Sequence, residues 1–178
     1  LRSDEIKFVI EEFFKNMDSP TNDGLNNFII SYLAKKDNTK VLISGVGGDE
    51  LFSGYPSFKK IPQMINILKY FPDLNFINDL LKNKIQNLFK KKLNTKYLSI
   101  FKYGRKLNTA FLLQRSLFLP EELDHFLQPN IIKNGLEELN TIDNTSQDIK
   151  DIKDKKLSIM YLEIKYYLCS KLLRDIDW

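Results

Sequence analysis

Ser44, Asp49 and Glu50 bracket a run in which three of five residues are glycine, Ser44-Gly45-Val46-Gly47-Gly48. Glycine accepts positive φ and lets a ligand approach the backbone closely. Loop amides of this kind can donate hydrogen bonds to phosphate oxygens. A carboxylate beside phosphates makes electrostatic sense when a cation lies between them, and Mg²⁺ typically uses one or two carboxylates plus substrate phosphates. The residue types therefore suit magnesium-phosphate binding, with Asp49 as the carboxylate. Two familiar phosphate loops are excluded. No Lys-Ser or Lys-Thr pair closes the run, and Glu50 stands where a dinucleotide fingerprint needs its third glycine. A plainer alternative stays open: a glycine turn feeding a surface helix, with Asp49 as its cap.

The elements around the loop are those expected to position it. Val41-Leu42-Ile43 reads as a short strand buried on both faces. Asp49 and Glu50 fit the first turn of a helix. Strand, tight loop and helix start together put a ligand outside the carboxyl end of the strand. Upstream, Ser3-Asp4-Glu5 precedes Ile6, Val9, Ile10, Phe13 and Phe14, which predicts a capped amphipathic helix ending near Asn16. Asn22-Asp23 is expected to cap a second helix with Leu25, Phe28, Ile29, Tyr32 and Leu33 on its apolar face. Asp37-Asn38 turns into the strand. Asp23 reaches the site or merely caps; either accounts for it.

Downstream, Pro56, Pro62 and Pro72 punctuate short helical segments, including Gln63 to Tyr70. A basic helix is predicted from about Asn75 to Lys91, another over Leu107 to Phe118, and a further one opening at Pro120-Glu121-Glu122. Asn140 to Asp151 reads as a loop. Leu157, Met160, Tyr161, Ile164, Tyr167, Leu168, Lys171 and Leu172 trace a helical stripe, read as core packing. The expected fold class is α/β, mostly helical with one clear short strand. The expected domains are residues 1–62, a partial α/β nucleotide-binding core, and residues 63–178, a helical remainder. One parallel strand alone would leave its backbone groups unsatisfied, so further strands are expected from outside these residues.

Composition narrows the classes. The chain of 178 residues is 43% hydrophobic and 28% charged, enough for a real core. One cysteine, Cys169, excludes an internal disulfide and fits a reducing compartment. The single histidine, His125, leaves no zinc cluster and reads as a helix-surface residue. No apolar run approaches the ~20 residues of a membrane span, and no leader pattern opens the chain. Because it begins at Leu1, it reads as excised or processed, and a cytoplasmic location is expected. The net charge of +4 is uneven, with ten Lys and Arg and no acid between Leu80 and Pro120. A basic block with interleaved Phe89, Tyr97, Phe101 and Tyr103 would suit nucleic acid. Leu81, Ile85, Leu88 and Phe89 at helical spacing instead make most of it one helix's solvated face, the favoured reading.

Ser44-Gly-Val-Gly-Gly-Asp-Glu-Leu-Phe-Ser-Gly-Tyr55 resembles the signature of the synthetase domain of glutamine-dependent asparagine synthetases. It departs clearly at Ser53, where that family usually has Gly. Met17 to Asn26 resembles the family segment before the strand, and Leu172 to Asp177 a later landmark. The resemblance implies an interior fragment of a Rossmann-like PP-loop (adenine nucleotide α-hydrolase-like) domain. It implies ATP and Mg²⁺ as cofactors, and aspartate or another carboxylate and glutamine-derived ammonia as substrates. Ser44 and Gly45 would lie beside the adenylate, Gly47 and Gly48 would keep the approach open, and Asp49 would hold Mg²⁺ on pyrophosphate. Glu50 would orient the loop. Many members carry Glu where this chain has Val46, which puts the acceptor and the amination step in question. Lys171 and Arg174 either face the anionic site or end an amphipathic helix. The resemblance leaves open amidation of another carboxylate, as in a surface sugar, and a non-catalytic helical interaction module. Homo-oligomerisation is also open.

Overall fold

A computed structural model describes residues 3–18, 20–21, 23–71 and 99–177. The chain divides into two compact units, Leu1–Phe52 with Glu163–Trp178, and Ser53–Leu162. The predicted basic helix falls outside the described residues.

In the unit of Ser53–Leu162, helix α4 (Ser57–Leu68) buries Phe58, Ile61, Ile65 and Leu68, a stripe at helical spacing. Pro62 does not punctuate it as the sequence suggests; the helix runs through. Four buried side chains at about 1.5–3 kcal/mol each outweigh the roughly 3 kcal/mol of a mid-helix proline. Helix α5 (Ile100–Tyr103) leads to α6 (Leu107–Arg115), three residues shorter than its apolar pattern predicts. A 3-10 helix (Pro120–His125) follows, its entry fixed by the Leu119 N–H donating to the Glu122 carboxylate at 2.7 Å. After it come α7 (Pro129–Leu139), α8 (Thr141–Asp148) and α9 (Lys155–Leu162). Helices α4, α6 and α9 pack on one another, and Ala110, Phe111, Ile159 and Leu162 on them are buried, while Leu113 clusters with Tyr103 and Leu119 against Met64 and Ile100.

Helix α8 replaces the loop expected from Asn140 to Asp151. Asn140, with φ 38, turns out of α7 in the left-handed region and starts α8 directly. Thr145 is fully buried, its hydroxyl donating to the Thr141 carbonyl at 2.7 Å, and Asn108 Nδ2 donates to the Ile142 carbonyl at 3.0 Å. Polar anchoring of this kind leaves no apolar periodicity to read.

In the other unit, α1 (Ser3–Asn16) follows the predicted span and packs on α2 (Gly24–Lys36). Val9 and Phe13 are buried between them, and Phe13 meets Phe28 edge-on at 5.6 Å between ring centroids. Glu5 and Lys36 pair across the two helices. Asp37 and Asn38 make the expected turn, Asn38 at φ 58.

The expected α/β arrangement is not there. Among the described residues there is no strand and no sheet, and 39–45 carry no regular structure. Val41, Leu42 and Ile43 are 75%, 51% and 98% exposed. The reason is physical: a strand exists through its ladder, and among the described residues no second extended segment pairs with this one to take its N–H and C=O groups. Helix α3 (Gly48–Phe52) follows the loop. The late apolar stripe also departs from expectation, because beyond α9 the chain winds as a π-helix (Glu163–Leu172) before a last turn, α10 (Leu173–Asp175). The Ser170 hydroxyl donates to the Lys165 carbonyl five residues back at 3.0 Å, in keeping with the wider turn.

Candidate functional site

The loop from Ser44 to Gly48 is built by local hydrogen bonds. The Ser44 hydroxyl oxygen accepts the Val46 N–H at 3.1 Å, and the Gly48 N–H donates to the Gly45 carbonyl at 3.1 Å. Gly47, buried and at φ 93, makes the turn, a conformation that favours glycine. Its carbonyl accepts the Leu51 N–H at 3.1 Å, which starts α3. The Gly47 and Asp49 N–H groups have no hydrogen-bond partner among the described residues. A methyl group placed on Gly45 or Gly48 would meet no atom within 4 Å, so the backbone there is open to a ligand.

Of the predicted site residues, Ser44, Gly45 and Asp49 are exposed, Gly48 is half-buried and Gly47 is buried. Asp49 therefore presents its carboxylate to solvent beside the open backbone. Its neighbour Glu50 turns inward and is 1% exposed. Val46 is exposed at the turn. Helix α3 has five residues, too few for a substantial helix dipole.

The segments flanking the loop place Asp23, Lys171 and Arg174 and bring in residues that the sequence did not single out, Thr21, Asp175 and Glu163. Asp23 stands at the N-cap of α2 without a side-chain bond; Thr21 does the capping, its hydroxyl oxygen accepting the Gly24 N–H at 2.9 Å. The same hydroxyl donates to Asp175 Oδ1 at 2.6 Å. A Thr three residues before the first helical residue was the available signal. Arg174 pairs with Asp18 at 2.9 Å, and Lys171 lies over the Tyr167 ring at 5.7 Å, so both cations are engaged within the protein. Glu163 is fully buried at the head of the π-helix, a position no periodicity marks.

Three cations of the basic block within the described residues serve structure. Lys102 pairs with Glu121 at 3.3 Å, Arg105 donates to the Phe71 carbonyl at 3.1 Å, and Arg115 covers the Tyr55 ring at 4.3 Å. Glu121 also accepts the Tyr103 hydroxyl at 2.7 Å and that of Ser99 at 3.3 Å. Burial, then the bond to Glu121, pushes the Tyr103 phenol well above its ordinary range. Burial by itself would raise Glu121. The Tyr103 hydroxyl, the carboxylate's own backbone N–H and the Lys102 charge outweigh it and hold the carboxyl below its ordinary value. His125 is exposed beside Asp124 at 3.7 Å, the surface role expected of it.

Among the described residues no three His, Cys, Asp or Glu side chains gather to hold a metal ion. Among these residues Asp49 is therefore not part of a three-ligand protein cage. A single exposed carboxylate beside unused N–H donors does fit Mg²⁺ shared with substrate phosphates. No helix among the described residues is long and apolar enough to cross a membrane.

Loop, carboxylate and matching flanks agree with a comparison against known families: the model described as asparagine synthase matches residues 1–177. The chain belongs to the asparagine synthase family, a class of ligase-type proteins that use ATP to amidate a carboxylate. No curated protein and no solved structure matches it.

Proposed function

We propose that the glycine loop and Asp49 form part of an ATP site in which aspartate is converted to asparagine. The carboxylate oxygen of the substrate attacks the α-phosphorus of ATP, a P–O bond forms, and pyrophosphate leaves with the electrons of the broken one. Ammonia, drawn from glutamine by a separate domain, then attacks the activated acyl carbon; AMP departs and the nitrogen loses a proton. The protein's part is positioning and charge stabilisation. The Gly47 and Asp49 N–H groups donate to phosphate oxygens, Ser44 and Gly45 border the adenylate, and Gly48 leaves its approach open. Asp49 would hold Mg²⁺, which when bound neutralises phosphate charge.

The observation that carries this reading is the pairing of unused loop N–H donors on Gly47 and Asp49 with the exposed Asp49 carboxylate. The test is aspartate-dependent exchange of labelled pyrophosphate into ATP, measured on the gene product that carries these residues. Asp49→Asn is expected to abolish exchange while leaving the fold intact; undiminished exchange would remove Asp49 from the site.

The exposed Val46 supports a second reading. An apolar side chain there cannot relay a proton from incoming ammonia, which favours a different carboxylate acceptor, such as one on a surface sugar. Exchange stimulated by a sugar carboxylate and not by aspartate would select it. A non-catalytic interaction module predicts exchange with neither.

A further inference from the structure

Helix α3 packs against the π-helix, and Leu168 Cδ2 lies 3.6 Å from where a methyl group on Gly47 would stand. The turn of the glycine loop therefore rests on the π-helix. Seven residues beyond Leu168, the same stretch ends in Asp175, which is 4% exposed and accepts the Thr21 hydroxyl at 2.6 Å. Asn27 Nδ2 donates to the Asp175 carbonyl at 3.0 Å, and the Arg174–Asp18 pair lies alongside. Thr21 simultaneously caps α2, whose other end runs through 37–43 into the loop. The contacts close a circuit: α2, glycine loop, α3, π-helix, Asp175, and back to Thr21.

The chemistry of the closing link argues for positioning over stability. Asp175 Oδ2 is buried with no hydrogen-bond partner among the described residues. Burying a carboxylate with one oxygen unsatisfied is a poor route to stability compared with an apolar contact of similar size. A short charge-assisted O–H···O bond is, however, directional, and it fixes the end of the π-helix against one point on α2. We infer that the Thr21–Asp175–Asn27 link is a positioning latch, which holds the π-helix so that Gly47 and the start of α3 keep their geometry. The inference rests on the loop being the working part of the protein, but its test needs no catalysis.

Hydrogen exchange of the Gly48 and Leu51 amides reads the loop directly, because each closes one of its turns. Thr21→Val removes the hydroxyl at nearly constant volume and is expected to speed exchange at both amides about tenfold, the scale of one bond to a charged group. Amides of α4 and α6 should not change, and Thr21→Ser should restore slow exchange. Asn27→Ala, which leaves the Thr21–Asp175 bond in place, should give a smaller increase confined to the same two amides, and it serves should Thr21→Val fail to fold. Unchanged exchange at Gly48 and Leu51 in the folded variants would overturn the latch, as would an equal rise throughout α4 and α6. A wild-type protein silent in pyrophosphate exchange would count against the amidation reading and leave these rates as they are.

Discussion

The two units of this chain bury different things. Ser53–Leu162 is built on apolar packing: α4, α6 and α9 pack on one another, and Phe58, Ile61, Leu68, Phe111, Ile159 and Leu162 on these helices are buried. In the unit of Leu1–Phe52 with Glu163–Trp178, Val9 and Phe13 make a small apolar core, while Glu50, Glu163 and Asp175 are also buried. Ile30, Val41, Leu42 and Ile43 face solvent, as Leu117, Phe126 and Leu139 do in the unit of Ser53–Leu162, so the buried carboxylates make the difference. Buried carboxylates do not maximise stability. The first unit is organised as a scaffold and the second around the glycine loop, whose geometry polar contacts fix.

The sharpest way to break that comparison is to cut both units equally. Phe111→Ala is expected to destabilise the protein by about 3–5 kcal/mol, measured by urea unfolding. Ile43→Ser, in the other unit, should change stability by less than about 0.5 kcal/mol. Comparable losses would mean that the exposed aliphatics carry stability after all. Gly104→Ala comes next. A methyl there would stand 2.5 Å from the Ile100 carbonyl oxygen and 2.6 Å from Leu68 Cδ1, and the resulting overpacking is expected to cost about 1–3 kcal/mol.

The Tyr103–Glu121 bond sharpens the contrast through pH. Glu121 has a lowered carboxyl pKa, so its contribution is present above the ordinary value of 4.5 and is lost as pH falls through the folded value. Tyr103 has a raised one, so its contribution is present below 10.0 and is lost as pH rises toward the folded value. Tyr103→Phe is expected to lower the urea midpoint at neutral pH and to flatten its fall at both extremes; a parallel curve would exclude the pair as the source. The smallest effect is a gain. Ser53 lies at φ 63 with its hydroxyl buried and without a hydrogen bond among the described residues, so Ser53→Gly should add roughly 0.5–1 kcal/mol in the same titration.

The sequence made α1, the Asp37–Asn38 turn and the start of α3 legible because each is a local matter of spacing, caps and glycine. The family was legible from Ser44 to Tyr55 for the same reason, and the structure gives Ser53 the left-handed backbone that suits the glycine usual there. The strand was not, since Val41-Leu42-Ile43 states a propensity that only a partner strand could realise. Helix α8 escaped because its anchors are Thr145 and Asn108, polar residues that leave no apolar rhythm. The π-helix escaped because its stripe looks α-helical over any short window. The link from Thr21 to Asp175 spans 154 residues, beyond any pattern read along one chain.

The most direct test of the central claim is an amide chemical-shift titration of the protein with Mg²⁺ and ATP. The account predicts concentration-dependent shifts centred on Gly45, Gly47 and Asp49, weakened in Asp49→Asn, with α4 and α6 undisturbed. Shifts absent from 44–49 in a folded protein at saturating nucleotide would contradict the loop as an ATP site.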